Sequence, residues 1–224
     1  MITPIFYSFL LLTLSACSMD QMVIRASSPM IEGGVEALNR ETDLELAEDS
    51  IPANLNMLMG MINIDPENVE LHTYASQAFY GMSYGFNEDD RPQRASAFYL
   101  RGLDHGLKAL QFSGAGELRD MPIGDFEARV NKLGKGDVPA MFWTASNWAK
   151  WIDMHRDDPE AIAELARATA LMQRVIDLDD TFYYGGAHMY FGVYYGSRAQ
   201  MPVSYTHLTL PTTIKPWGEG GGGG

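Results

Sequence analysis

The chain has 224 residues, 16 Lys and Arg against 29 Asp and Glu, and a formal net charge of −13; nucleic-acid affinity comes mainly from cations that neutralise phosphates, so a nucleic-acid-binding surface is excluded. Apolar residues make up 46 %, enough for a real core and too many for a disordered chain. A single Cys excludes an intrachain disulfide framework and a thiolate metal site, and the length permits one domain or two small ones.

Residues 5–16, IFYSFLLLTLSA, form an uncharged apolar run. It is shorter than the roughly 20 residues of a bilayer span. It ends in Leu14-Ser15-Ala16-Cys17, and small residues directly before a lone Cys resemble a bacterial lipobox. In that motif the thiol receives a diacylglycerol and the Cys becomes the mature N-terminus. Residues 1–16 are therefore expected to be a lipoprotein signal peptide and Cys17 the lipidation site. One feature departs from the pattern: residues 1–16 carry no Lys or Arg. More than one acyl chain anchors stably, so the mature protein is expected to be tethered to a membrane, not to span it. Ser18 stands where Asp would signal retention at the inner membrane, which favours the outer one.

From residue 18 to 201 the chain reads as helix after helix. The spacing predicts a first helix over 20–40, weakened by Gly33-Gly34. Asp43 reads as an N-cap before LELAED, and Pro52 sits where a second helix can open, over ANLNMLMGMINI. Asp65-Pro66-Glu67-Asn68 reads as a turn, VELHTYASQAFYGMSYGF as a helix and NEDDRPQR as a loop. Helix 94–111 carries Ala95, Phe98, Tyr99, Gly102 and Leu103 at the spacing of a buried stripe. Glycines, charges and Pro122 fill 113–137, with a short helix expected around 125–133. PAMFWTASNWAKWIDMH and PEAIAELARATALMQRVIDL read as two strong helices, and FYYGGAHMYFGVYYGSR as the last. Helical periodicity stops at Met201. The string VSYTHLTLPT after it resembles a translated sequencing-adapter read-through, so 202–224 reads as a non-native or disordered tail; a natural strand and linker is the alternative. On the first reading the natural protein continues beyond 201.

An internal repeat supports helix hairpins. Ile62-Asn63-Ile64-Asp65 matches Ile176-Asp177-Leu178-Asp179 at an offset of 114, and Ala78-Phe79-Tyr80-Gly81 matches Val193-Tyr194-Tyr195-Gly196 at 115. That offset is a little over three times the period of about 34 residues of tetratricopeptide units. Counting from Pro66, His72, Ala75, Ser76 and Phe79 fill expected positions, while Leu107 stands where the terminal proline belongs. The expected fold is all-α, an α-solenoid of degenerate tetratricopeptide-like hairpins over 17–201.

Two helices carry more aromatic residues than a plain core needs. Trp143, Asn147 and Trp151 share one helical face, and Thr144 and Trp148 a neighbouring one. Core packing accounts for such faces; the alternative is an aromatic wall with a polar handle lining a small-molecule pocket. In the last helix, Tyr184 and His188 stand at i, i+4 and could present two hydrogen-bonding groups to one cavity or satisfy each other in a core. The interleaved Gly185, Gly186, Gly192 and Gly196 suggest close helix approach or a space left for a ligand. Trp143, Asn147, Trp148, Tyr184 and His188 are the residues expected to line a ligand path. His72, His105 and His155 are far apart in sequence without HExxH-like spacing, and no G-x-S-x-G, Walker A or Rossmann pattern occurs. No metal, no cofactor and no catalytic residue is therefore expected.

The order of residues resembles the T component of tripartite ATP-independent periplasmic (TRAP) transporters, a lipoprotein family with tetratricopeptide-like repeats. The resemblance is carried by DLELAEDSIPANLNMLMGMI (43–62), ENVELHTYASQAFYGMSYGF (67–86), RASAFYLRGLDHGLKAL (94–110), DVPAMFWTASNWAKWI (137–152) and MQRVIDLDDTFYYGGAHMYFGVYYGSR (172–198). It implies a periplasmic, non-enzymatic helical protein that works beside a substrate-binding P component. It also implies homotrimers with a pore or cleft in each subunit, suited to a small apolar organic ligand. A scaffold that binds another protein's helix, with no small ligand, is the rival reading.

Overall fold

Three short polar side chains decide where helices begin. Asp43 accepts from the backbone N–H groups of Glu45 and Leu46, Asn68 from those of Glu70 and Leu71, and Asp158 from that of Glu160. Each satisfies donors that the first turn of a helix leaves open. The computed structural model describes residues 19–197; Cys17, the signal-peptide segment and the tail from 202 lie outside them. The described residues form α1 (19–26), α2 (Ser28–Asn39), α3 (Leu44–Ile64), α4 (Val69–Phe86), α5 (Pro92–Leu110), α6 (Ile123–Val130), α7 (Val138–Asp153), α8 (Pro159–Ala163), α9 (Leu165–Asp179) and α10 (Phe182–Ser197). No strand occurs among them, so the protein is all-α.

Several boundaries differ from the sequence expectation. The expected first helix is two, α1 and α2, joined through Ser27, whose backbone keeps helical hydrogen bonds to Val23 and Ile31, and α2 runs straight through Gly33 and Gly34. Pro52 lies inside α3, because the Asp43 cap starts that helix at Leu44. Ala47, Ile51, Leu55, Leu58 and Ile62 are buried along both halves and hold the helix together past the missing N–H. The helix expected over 159–178 is two, α8 and α9, parted at Glu164.

Packing radiates from α7, which is buried from Ala140 through Trp148 on every face. α5 packs against it on one side and α9 on another, with α6 closing over α9. Leu103, Leu110, Phe126, Met141, Trp148 and Leu171 are central to this core. α4 and α5 run antiparallel: Ser83 bonds the Ala95 carbonyl, the Phe79 and Phe98 rings lie 5.7 Å apart, and His72 meets His105. His72, Ala75, Ser76 and Phe79, singled out by repeat spacing, are all buried on α4. A smaller cluster of Ile24, Ile31, Leu58, Ile62, Leu71 and Ala75 seats α1–α3 on α4. Arg25 clasps it with two bonds to the buried Asp65 carboxylate, at 2.8 and 3.1 Å, and holds that carboxyl below its ordinary pKa.

The two histidines are 33 positions apart, yet their Nδ1 atoms lie 2.9 Å apart. His72 Nε2 donates to the Pro66 carbonyl at 3.0 Å, so its Nδ1 accepts the proton of His105 Nδ1. Burial pushes both below the usual His value, His105 to about 4, with Lys108 and Arg101 acting in the same direction on His105. The folded chain therefore binds fewer protons than the unfolded chain once pH falls below about 6.5. Stability contributed by this pair is complete above that value and is lost as pH falls toward about 4. His105→Asn should flatten this slope: the difference in melting temperature between wild type and variant should shrink steadily from pH 7 to pH 4.5. A difference independent of pH would mean that the pair is not held neutral.

Candidate functional site

α7 turns three different faces to three neighbours. Thr144 and Asn147 face α4 and α5. Asn147 Nδ2 donates to the Ser76 carbonyl at 3.0 Å and to the Trp143 carbonyl at 2.8 Å. Gly102 and Gly106 let α5 approach there: a Cβ on either would stand 2.3 Å from Asn147 Oδ1 or Thr144 Oγ1. Trp148 faces the other way, fully buried, edge-on to Phe126, with its Nε1–H donating to Glu164 at 2.9 Å. The third face carries Phe142, Trp143, Ser146, Ala149, Lys150 and Asp153, and it opens on a groove.

The groove has a volume of about 500 Å³. Tyr80 and Tyr84 of α4 form one wall, stacked on each other at 5.7 Å, with Tyr80 against Trp143 at 5.5 Å. Tyr183, Met189, Tyr190 and Val193 of α10 form the opposite wall, and Ile152, Leu165 and Met172 extend the apolar lining. Tyr190 is fixed through its hydroxyl, 2.9 Å from that of Thr169. One end is polar. Lys150 pairs with Glu88 at 2.5 Å and lies over the Tyr84 ring at 5.2 Å, and Asp153 pairs with Arg156. Glu88 also accepts from the Tyr99 hydroxyl at 3.0 Å. Two cations and two anions balance at this rim, so the groove offers no net charge to a ligand. An apolar cleft with a few polar groups at one end suits a small, largely apolar organic molecule.

α10 is not the straight helix that the sequence suggests. Tyr183, Tyr184 and Gly185 have φ of 46°, 59° and 71°, three successive residues in the left-handed region. For tyrosine this conformation is strained, at a cost of about 1–3 kcal/mol per residue. Gly186 follows in close contact with Phe142, whose Cζ would lie 2.6 Å from a Cβ there. The strained turn lays the Tyr183 ring against Trp143 at 4.7 Å and Phe142 at 5.6 Å, and burial raises its phenol pKa. Gly192 and Gly196 face open space. A second hollow of about 570 Å³, flanked by Glu32, Glu36, Glu70 and Tyr74, borders the same Trp143 and Tyr183.

Of the five residues expected to line a ligand path, Trp143 lines the groove. Asn147 and Trp148 occupy the other two faces of α7. Tyr184 is 91 % exposed, and His188 is exposed beside Asp180 at 3.6 Å; neither is part of the groove lining. Tyr80 and Tyr84 escaped the sequence reading, although their i, i+4 spacing on an otherwise small-residue face was a usable signal.

The sequence model of the TRAP transporter T-component family matches residues 40–202. No curated protein matches the chain.

Proposed function

The chain belongs to the TRAP transporter T-component family, and from that membership together with the groove we propose that it binds a small, mainly apolar organic ligand and exchanges it with the substrate-binding P component. In this reading Cys17 carries a lipid anchor, the protein works in the periplasm at the outer membrane, and the helices are degenerate tetratricopeptide-like hairpins. Five groove residues then act on the ligand: Tyr80, Tyr84, Trp143 and Tyr183 as flat walls, and Lys150 as a hydrogen-bond donor at the polar end. The observation that carries the proposal is the aromatic groove itself. Its walls come from α4, α7 and α10, and the Tyr183 wall is kept at the expense of a strained backbone.

Ala149 lines the groove from α7 and is only partly buried, so a larger side chain there fills the groove without entering the core. The neutral reporter N-phenyl-1-naphthylamine should bind the wild type with enhanced emission. Ala149→Trp should weaken that binding by about tenfold or more, since it removes the volume the reporter needs. Equal binding by a folded Ala149→Trp variant would place the ligand elsewhere. The groove is only partly enclosed, which also suits an apolar helix of a partner protein. Binding of such a helix with no binding of the reporter would favour that second reading.

A further inference from the structure

Met19, Met22, Val23, Ala26 and Met30 fall at i, i+3, i+4, i+7 and i+11, one stripe along α1 and α2, and Gly33, Gly34 and Ala37 continue it. Ser27 keeps the helical course between the two, donating its N–H to Val23 and accepting from Ile31. Every residue of the stripe is exposed, and the four largest are each at least 62 % exposed. The opposite side is the packed one, where Ile24 and Ile31 meet Leu58 and Leu71. No charge falls on the stripe. Asp20 lies on one flank and Arg25, Glu32 and Glu36 on the other, and Arg25 is engaged with Asp65.

What covers this face follows from where the chain is tied. If Cys17 carries the lipid, only Ser18 separates the anchor from Met19, a reach of at most about 7 Å, so α1 begins at the bilayer surface. A helix held there with one uncharged apolar face lies in the interface plane with that face toward the acyl chains. Resting on the lipid-anchor reading, we propose that α1 and α2 lie along the membrane surface, with Met19, Met22, Val23 and Met30 seated at the boundary between headgroups and acyl chains. The anchor then fixes how the groove is turned relative to the bilayer, instead of leaving the domain on a free tether. The stripe is uncharged, so the contact does not require anionic lipid.

Peroxide converts accessible methionine to its sulfoxide and so reads this contact without a label. The protein is placed on dioleoylphosphatidylcholine vesicles in two forms: as made in cells, and as the chain from residue 17 coupled through Cys17 to a maleimide phospholipid. In both, oxidation of Met19, Met22 and Met30 should be about tenfold slower than in soluble Cys17→Ser protein. Met57 and Met189, also exposed, should react at unchanged rates. Equal rates on vesicles and in solution would overturn the proposal. So would slow oxidation of the stripe in the soluble protein, which would mean that protein covers it. The intact mass of the cell-made protein reports acylation separately: an unacylated Cys17 would overturn the anchor reading, and the maleimide-coupled form would still decide the orientation of the stripe.

Discussion

Trp148→Ala should lower the unfolding free energy by about 3–5 kcal/mol, read as a shift of the urea midpoint. The indole is completely buried where α6 and the start of α9 close on α7, and it is among the largest side chains so enclosed. Truncation leaves a cavity lined by Phe126 and its neighbours, which close packing does not let collapse. It also takes the donor from Glu164, at 2.9 Å in the wild type. Trp148→Phe keeps most of the volume and loses that bond, so its cost should be nearer 1–2 kcal/mol. Because Trp148 does not line the groove, reporter binding by the folded fraction of either variant should be unchanged. A nearly neutral Trp148→Ala would contradict its place in the core.

Gly106→Ala should be destabilising even though alanine is the better helix former. In an open helix the exchange gains about 1 kcal/mol. Here the new Cβ would stand 2.3 Å from Thr144 Oγ1, 3.0 Å from Ser76 Oγ and 3.0 Å from the Thr144 Cα, a backbone atom that cannot rotate away. Forcing α5 off α7 should cost about 1–3 kcal/mol beyond the lost gain. The matched control is Gly60→Ala in α3, where nothing lies within 4 Å. That variant should be as stable as the wild type or slightly more so. Opposite signs for the two exchanges would establish the close crossing of α5 and α7; the same stabilising sign for both would refute it.

These contrasts show which features were legible in the sequence. Asp43 and Asn68 were readable as a helix start and a turn, because capping depends only on the nearest residues. The all-α fold was readable from periodicity. Helical spacing groups side chains by face but does not say which neighbour each face meets. Trp143 and Asn147 are one turn apart, yet one ring enters the groove and the other side chain bonds Ser76 on α4. Tyr184 and His188 share a face only if α10 is straight from its first residue, and the left-handed run at 183–185 removes that premise. The His72–His105 pair depends on the antiparallel packing of α4 on α5, which no local pattern encodes. The i, i+4 spacing of Tyr80 and Tyr84 marks a shared face but not what it meets: their partner Trp143 lies on a helix about 60 positions further along.

On the proposed function, the groove between α4, α7 and α10 holds the ligand. A crystal structure of the protein with a brominated analogue of the naphthylamine reporter tests it most directly, because the anomalous signal of bromine fixes the position of the bound molecule. A bromine peak is expected between Tyr84, Trp143 and Tyr183 in the wild type and none there in Ala149→Trp. A peak at another surface in both proteins, with the groove empty, would contradict it.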